Sequence, residues 1–194
     1  MTTIAIVFHS GYGHTAKQAE AVRDGAAAAA NTKVDVIAID AEGNIPEAAW
    51  ATLLAADAII MGSPTYMGSV SWQFKKFADA SSKQWFGQVW KNKIAAGFTN
   101  SATINGDKLS TLHYMFTLSM QQSMIWVGLG MQASNSKAAQ RNDPNYLGSY
   151  AGAMAQSPSD ASPEEGPLPG DLETAKLLGK RVAEMTAQFV KGRG

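Results

Sequence analysis

The chain has no cysteine, and its 16 basic side chains balance its 16 acidic ones. Without cysteine there is no disulfide, no thiol nucleophile and no thiolate-bound metal. A net charge of zero argues against nucleic acid or an anionic membrane surface as the main partner. It also argues against the acidic excess expected of an electron shuttle that docks on basic proteins. No apolar run approaches the roughly 18 residues of a membrane span. The first strand starts at once, with no basic and apolar leader before it, so a cytoplasmic location is expected. No Ser/His/Asp triad, carboxylate pair or metal-ligand spacing stands out, and no metal is expected.

What remains is a globular chain of 194 residues, 45% hydrophobic and 16% charged. That length suits one domain, 1–194, with a real core. Apolar strand-like runs at 3–9, 33–40, 58–62, 94–98 and 124–128 alternate with helical segments at 15–30, 44–57, 71–81, 108–122 and 171–191. Pro46 is placed as an early residue of its helix. Val70, Phe74, Phe77, Ala78 and Ser81 fall on one face of another. Alternation of this kind predicts an α/β fold, a doubly wound five-stranded parallel sheet with helices on both faces. Such sheets bind ligands beyond the carboxyl ends of their strands. Loops 10–14, 63–69 and 99–107 leave those ends, and they should converge on one crevice. Residues 131–170 are polar and irregular. They predict an ordered insertion before the last helix, with a short strand near 151–156, covering the crevice or meeting another subunit. A mobile surface loop is the plain alternative.

The first loop, Ser10-Gly11-Tyr12-Gly13-His14-Thr15, joins a strand to a helix, a natural seat for an anion. A nucleoside triphosphate would need Lys and Ser or Thr after the second glycine, and His14-Thr15 stand there. A dinucleotide is suggested by Gly11, Gly13 and Ala16 in G-x-G-x-x-A, with Asp40 ending the second strand. A terminal phosphomonoester, as in FMN, suits a loop whose hydroxyls and bare N–H groups need no cationic side chain. The second loop favours this third option. In "GSPTYMG", Pro64 and Gly68 fix a turn and leave the backbone of 65–68 for ring heteroatoms, with Tyr66 and Met67 in apolar contact.

Taken together, "FHSGYGHT", "GSPTYMGSVSWQFKKFADAS" and "FTNSATINGD" resemble the flavodoxin-like flavoproteins, most closely the WrbA-type NAD(P)H:quinone oxidoreductases, over nearly the whole chain. The resemblance implies strand order 2-1-3-4-5 and an FMN cofactor. Carried over by position, Ser10, Tyr12, Gly13, His14 and Thr15 would bind its phosphate. Pro64, Thr65, Tyr66, Met67 and Gly68 would border its ring, and Thr99, Asn100, Ser101 and Thr103 would supply the third loop. It further implies two-electron transfer from NAD(P)H to a quinone by a ping-pong hydride mechanism, with no catalytic side chain, and a homodimer or homotetramer. A family histidine pair is replaced by Gln121-Gln122, which become possible pocket residues. An electron carrier without its own substrate, or a non-flavin module for another phosphorylated ligand, remain the alternatives. His14 is read as a phosphate donor, His9 and His113 as structural. Trp126 reads as core, whereas Trp85, Phe86 and Trp90 fit a pocket rim, a subunit contact or the core equally.

Overall fold

The computed structural model describes residues 1–193. In chain order the elements are β1 (Thr2–His9), α1 (His14–Ala27), β2 (Thr32–Ile39), α2 (Glu47–Ala55), β3 (Ala58–Tyr66), β4 (Ser69–Val70), α3 (Trp72–Ala80), α4 (Ser82–Phe86), β5 (Ile94–Ser101), α5 (Lys108–Gln121), β6 (Ile125–Trp126), β7 (Ala153–Gln156) and α6 (Pro169–Gly192). The sheet runs β2-β1-β3-β5-β6, all parallel, as the alternation of strands and helices predicts.

The outermost position is unlike the expected strand. It is built in two pieces: β6 pairs with Ile94–Ala95, and β7 pairs with Phe98–Ser101. The chain leaves the sheet after Trp126 and rejoins the same edge at Ala153. The short strand expected near 151–156 is β7, but its place on the same edge as β6 is hidden from periodicity, because each piece alone is too short to show a pattern. Strand β3 is also longer than its apolar core suggests. It continues through Ser63-Pro64-Thr65-Tyr66 and folds back on the antiparallel β4.

Alternation along β1 sorts the core into two layers. Ile4, Ile6 and Phe8 join Val22 of α1 and Leu178 and Val182 of α6. Ala5 and Val7 face the other way, toward Leu53, Phe74, Phe77 and Leu112. Trp90 belongs to this second layer. Trp85 and Phe86 do not: both are exposed, so the three aromatics have no common role. Pro46 stands one residue before the helix, as the cap of α2, and α6 begins earlier than expected, with Pro169 in its first turn.

The segment between the two outer pieces is tied down. Arg141 donates two hydrogen bonds to the carboxylate of Asp171, at 2.8 and 2.7 Å. The same carboxylate accepts the Gln156 amide at 2.9 Å, and the Thr174 hydroxyl accepts the Asn145 amide at 2.7 Å. Asp171 is 2% exposed, so losing its arginine would strand a buried charge.

Helices α1 and α6 approach backbone to backbone. A methyl group at Gly179 would lie 2.0 Å from the Val22 carbonyl oxygen, and one at Gly25 1.8 Å from that of Lys176. Neither obstacle is a movable side-chain tip. Gly179→Ala should therefore cost about 2 kcal/mol or more. Thermal melting should show a fall in Tm of roughly 4–8 °C, and an unchanged Tm would mean the helices can separate freely.

Candidate functional site

Three strand ends and one returning segment enclose a cavity of about 500 Å³. Its walls include Tyr12, His14 and Thr15 after β1, and Pro64 and Tyr66 at the end of β3. Asn100, Ser101 and Ala102 at the end of β5 and Ser157, Pro158, Ser159 and Ala161 after β7 complete it. The register of Pro64 against Asn100, and of Asn100 against Ala155, places these walls side by side.

The floor is the first turn of α1. Gly13 holds φ 91°, a left-handed conformation that turns the chain into the helix. The Ser10 hydroxyl accepts the amides of Gly13 and Ala16, each at 3.1 Å. In this arrangement it caps the helix through its lone pairs and keeps its O–H free to donate. The amides of Tyr12, His14 and Thr15 donate to no acceptor among the described residues. Thr15 is buried, and its hydroxyl makes no bond to the described protein. Bare amides at a helix start, with the dipole behind them, make an anion seat.

His14 has a second task. Its Nε2 donates to the Ala161 carbonyl at 3.0 Å, since that oxygen can only accept. Only Nδ1 is left for a ligand. Pro163 lies over Gly13, where an added methyl would come within 2.6 Å of its ring. Asn100 donates to the Ser157 hydroxyl at 2.8 Å from the opposite wall. Residues 157–163 thus form a strap fastened at both ends. The sequence reading expected 131–170 to cover the crevice or meet another subunit but singled out none of these residues, although "SPSDASP" has the same hydroxyl-rich composition as the other loops.

The second loop is a hairpin, not a free turn. Thr65 pairs with Val70 and Tyr66 with Ser69. Met67 (φ 47°) and Gly68 (φ 78°) make a two-residue connection with both φ positive, the tight turn that suits strand twist. Met67 is fully exposed at the tip, away from the cavity walls. The Ser63 hydroxyl accepts the Ser71 amide at 2.9 Å, and the Ser71 hydroxyl caps α3 through the Phe74 amide, which fixes the base of the hairpin. The tyrosine rings of 12 and 66 meet edge to face at 6.3 Å, forming an aromatic rim. The Tyr66 hydroxyl crowds Gly11, where a methyl would approach within 2.5 Å. Burial, with Tyr12 adding to it, holds the Tyr66 phenol above its usual pKa, so it is a neutral donor at pH 7.

Several expected contacts turn elsewhere. The Thr65 hydroxyl shares hydrogen bonds of 2.8 Å with those of Thr99 and Thr111, in a buried triad behind the cavity wall. Their register puts these side chains on the face opposite the opening. The Thr103 carbonyl accepts from Lys108, so that residue braces the third loop. Gln121 and Gln122 line a second cleft of about 360 Å³ with Lys75, Asp79, Trp85 and Tyr114, apart from the first cavity. Gln122 is buried and donates to the Ser81 hydroxyl at 2.9 Å. Within one chain, neither glutamine reaches the first cavity. Asp40 is exposed and binds the amides of Glu42 and Asn44, closing its own turn. His9 is buried, which lowers its pKa and keeps it neutral; His113 is exposed.

Residues 12–138, most of the chain, match the family described as NADPH-dependent FMN reductase. The chain belongs to that family. Over 189 residues it is 51% identical to the flavodoxin FldP of Pseudomonas aeruginosa (strain UCBPP-PA14), spanning 97% of this chain and 99% of that one. A solved structure of a flavodoxin, WrbA-like protein from Agrobacterium tumefaciens superposes with a TM-score of 0.78 at 49% identity, covering 97% of this chain and 99% of its own. An NAD(P)H dehydrogenase (quinone) of Aromatoleum aromaticum (strain DSM 19018 / LMG 30748 / EbN1) is 30% identical, with 98% of each chain covered. The fold is thus flavodoxin-like and the chain is of the WrbA type. Among the described residues no helix is long and apolar enough to cross a membrane, and no group of three metal-binding side chains gathers.

The strap yields a direct test. His14→Ala removes one of its fastenings, a hydrogen bond worth about 0.5–1.5 kcal/mol. Amide hydrogen exchange in 157–163 should rise roughly two- to tenfold, with β1 and β3 unchanged. Equal protection in the variant would show that the strap is held by other contacts.

Proposed function

We propose that this chain is an FMN-dependent oxidoreductase that passes electrons from NAD(P)H to a quinone or a similar acceptor. The observation that carries the reading is the set of unpartnered amides on Tyr12, His14 and Thr15, in residues that also line an open, aromatic-rimmed cavity. A phosphomonoester needs acceptor-hungry donors, and this seat supplies them without a cationic side chain. The cavity volume of about 500 Å³ is within the usual range for small-molecule sites. The residues present therefore fit the mononucleotide.

FMN held there would supply two-electron redox chemistry between the nicotinamide and the acceptor. The chain's own residues bind and orient. Tyr12, His14 and Thr15 hold the phosphate through their amides and the Thr15 hydroxyl, over the turn made by Ser10 and Gly13. Pro64 and Tyr66 border the ring, on a hairpin set by Met67 and Gly68. Asn100 and Ser101 supply polar contacts from the third wall, braced from behind by Thr65, Thr99 and Thr103. The rim of Tyr12 and Tyr66 excludes water from the ring. No side-chain nucleophile is needed.

The relative named as an NAD(P)H dehydrogenase (quinone) and the absence of net charge support the enzyme. The 51% identical relative named as a flavodoxin supports a second reading, an electron carrier with the same cofactor and no substrate of its own. A cytoplasmic location and assembly into a homodimer or homotetramer complete the proposal. In that assembly the exposed Gln121 would reach a neighbour's cavity, whereas the buried Gln122 would stay with Ser81.

Two measurements test this. In anaerobic stopped flow, NADH or NADPH should bleach the bound flavin, and a quinone should restore its colour; a flavin that neither nucleotide reduces favours the carrier. Thr15→Asp sets a carboxylate against the phosphate. Loss of one charge-assisted hydrogen bond costs about 1.5–3 kcal/mol, so calorimetric titration should show FMN affinity falling roughly ten- to a hundredfold. Unchanged affinity would place the phosphate elsewhere.

A further inference from the structure

Lys108 is the first residue of α5 and has no exposed surface. A cation there is opposed twice, by burial and by the positive end of the helix dipole. The fold compensates with three oxygens from a single loop. The ammonium donates to the Ser101 hydroxyl at 2.9 Å, to the Thr103 carbonyl at 2.6 Å and to the Ile104 carbonyl at 2.8 Å. All three donors of the lysine are used, and no acid is in hydrogen-bond contact with it. Ser101 is itself a wall of the cavity, and its hydroxyl passes a further bond to the Thr103 carbonyl at 3.2 Å.

Gathering two successive carbonyls onto one ammonium orients the loop. In a planar trans peptide the N–H points opposite to the carbonyl. The amides of Ile104 and Asn105 therefore point away from Lys108, and neither donates to an acceptor among the described residues. Gly106 allows the tight return, with φ 55° and a Cβ position that the Ser101 hydroxyl would block at 2.2 Å.

We propose that Lys108 is a positioning residue that holds loop 101–106 in its ligand-ready form, keeping Ser101 in the cavity wall and two loop amides turned outward. This rests on the FMN reading only for the identity of the ligand. The hold requires the charged form, because a neutral amine has two donors and a lone pair facing three oxygens. Burial pulls the Lys108 pKa down to about 8. Asp171 at the start of α6 acts to raise it, and Arg141, paired with Asp171, acts to lower it. Asp107, beside it on the same turn, is exposed. The sign follows directly: the hold is complete well below pH 8 and is released as pH rises through that value.

The test uses the full chain without ligand, then with FMN. The carbonyl 13C shifts of Thr103 and Ile104, which accept from Lys108, should step between pH 7 and 9 in the unmutated chain, while those of β1 show no step. Lys108→Met should abolish the step, move both shifts at every pH, and weaken FMN about tenfold at pH 7. Lys108→Arg should show no step up to pH 9, because guanidinium stays charged. If Lys108→Met does not fold, the unmutated chain still decides: no step near pH 8 overturns the proposal. A folded Lys108→Met with both shifts unmoved also overturns it. Should the unmutated chain bind no FMN, the cofactor reading fails, whereas the carbonyl step still tests the role of Lys108.

Discussion

Parallel pairing on both sides of β1 is the constraint from which the site follows. With β2 on one side and β3 on the other, the connections after β1 and β3 depart from neighbouring strand ends in opposite directions. A crevice must open between them. Strand β5 beside β3 adds the third wall at a fixed height, because the backbone ladder locks Pro64 opposite Asn100. No side chain has to recognise another for this opening to exist. The side chains decide only what it will accept.

What it accepts is set by dipoles more than by ions. No lysine or arginine is among the cavity walls. Two cations near them, Lys108 and Arg141, spend their donors on protein oxygens. An anion held by peptide amides is less exposed to screening by salt than one held by flexible surface charges. The same amides cannot lose a proton at ordinary pH, so the seat itself is constant. This division leaves the shape of the third wall, and not the grip on the anion, as the part of the site open to modulation.

The parallel sheet and the strand-to-helix turn at Gly13 were legible because they rest on local signals, apolar runs with a glycine and hydroxyls between them, whereas the strand order came with the family resemblance. Side-chain direction was not. Thr65 and Thr99 are of the right type for a ligand site, yet the pleat turns both inward to Thr111. Whether a strand residue faces a cavity or its back depends on where the strand ends, and β3 runs four residues past its apolar part. The walls from 157–161 were legible only as part of an insertion expected to cover the crevice, not residue by residue. They come from a segment distant in sequence, brought in by β7 and fastened by His14 and Asn100. Trp85 and Trp90 show the same limit: five positions apart, one is exposed and the other is in the core.

The broken outer edge has an evolutionary corollary. Because β6 and β7 each dock on β5 independently, residues 127–152 are an excursion outside the sheet ladder, held by anchors such as Arg141 on Asp171 and Asn145 on Thr174. Between those anchors such a detour can lengthen, shorten or be recoloured with different side chains while the central sheet keeps its register. Yet its return leg delivers Ser157 to Ala161 to the opening, so each revision of the detour is felt at the mouth. Descendants of this architecture can therefore diversify what they admit without reinventing how they hold it.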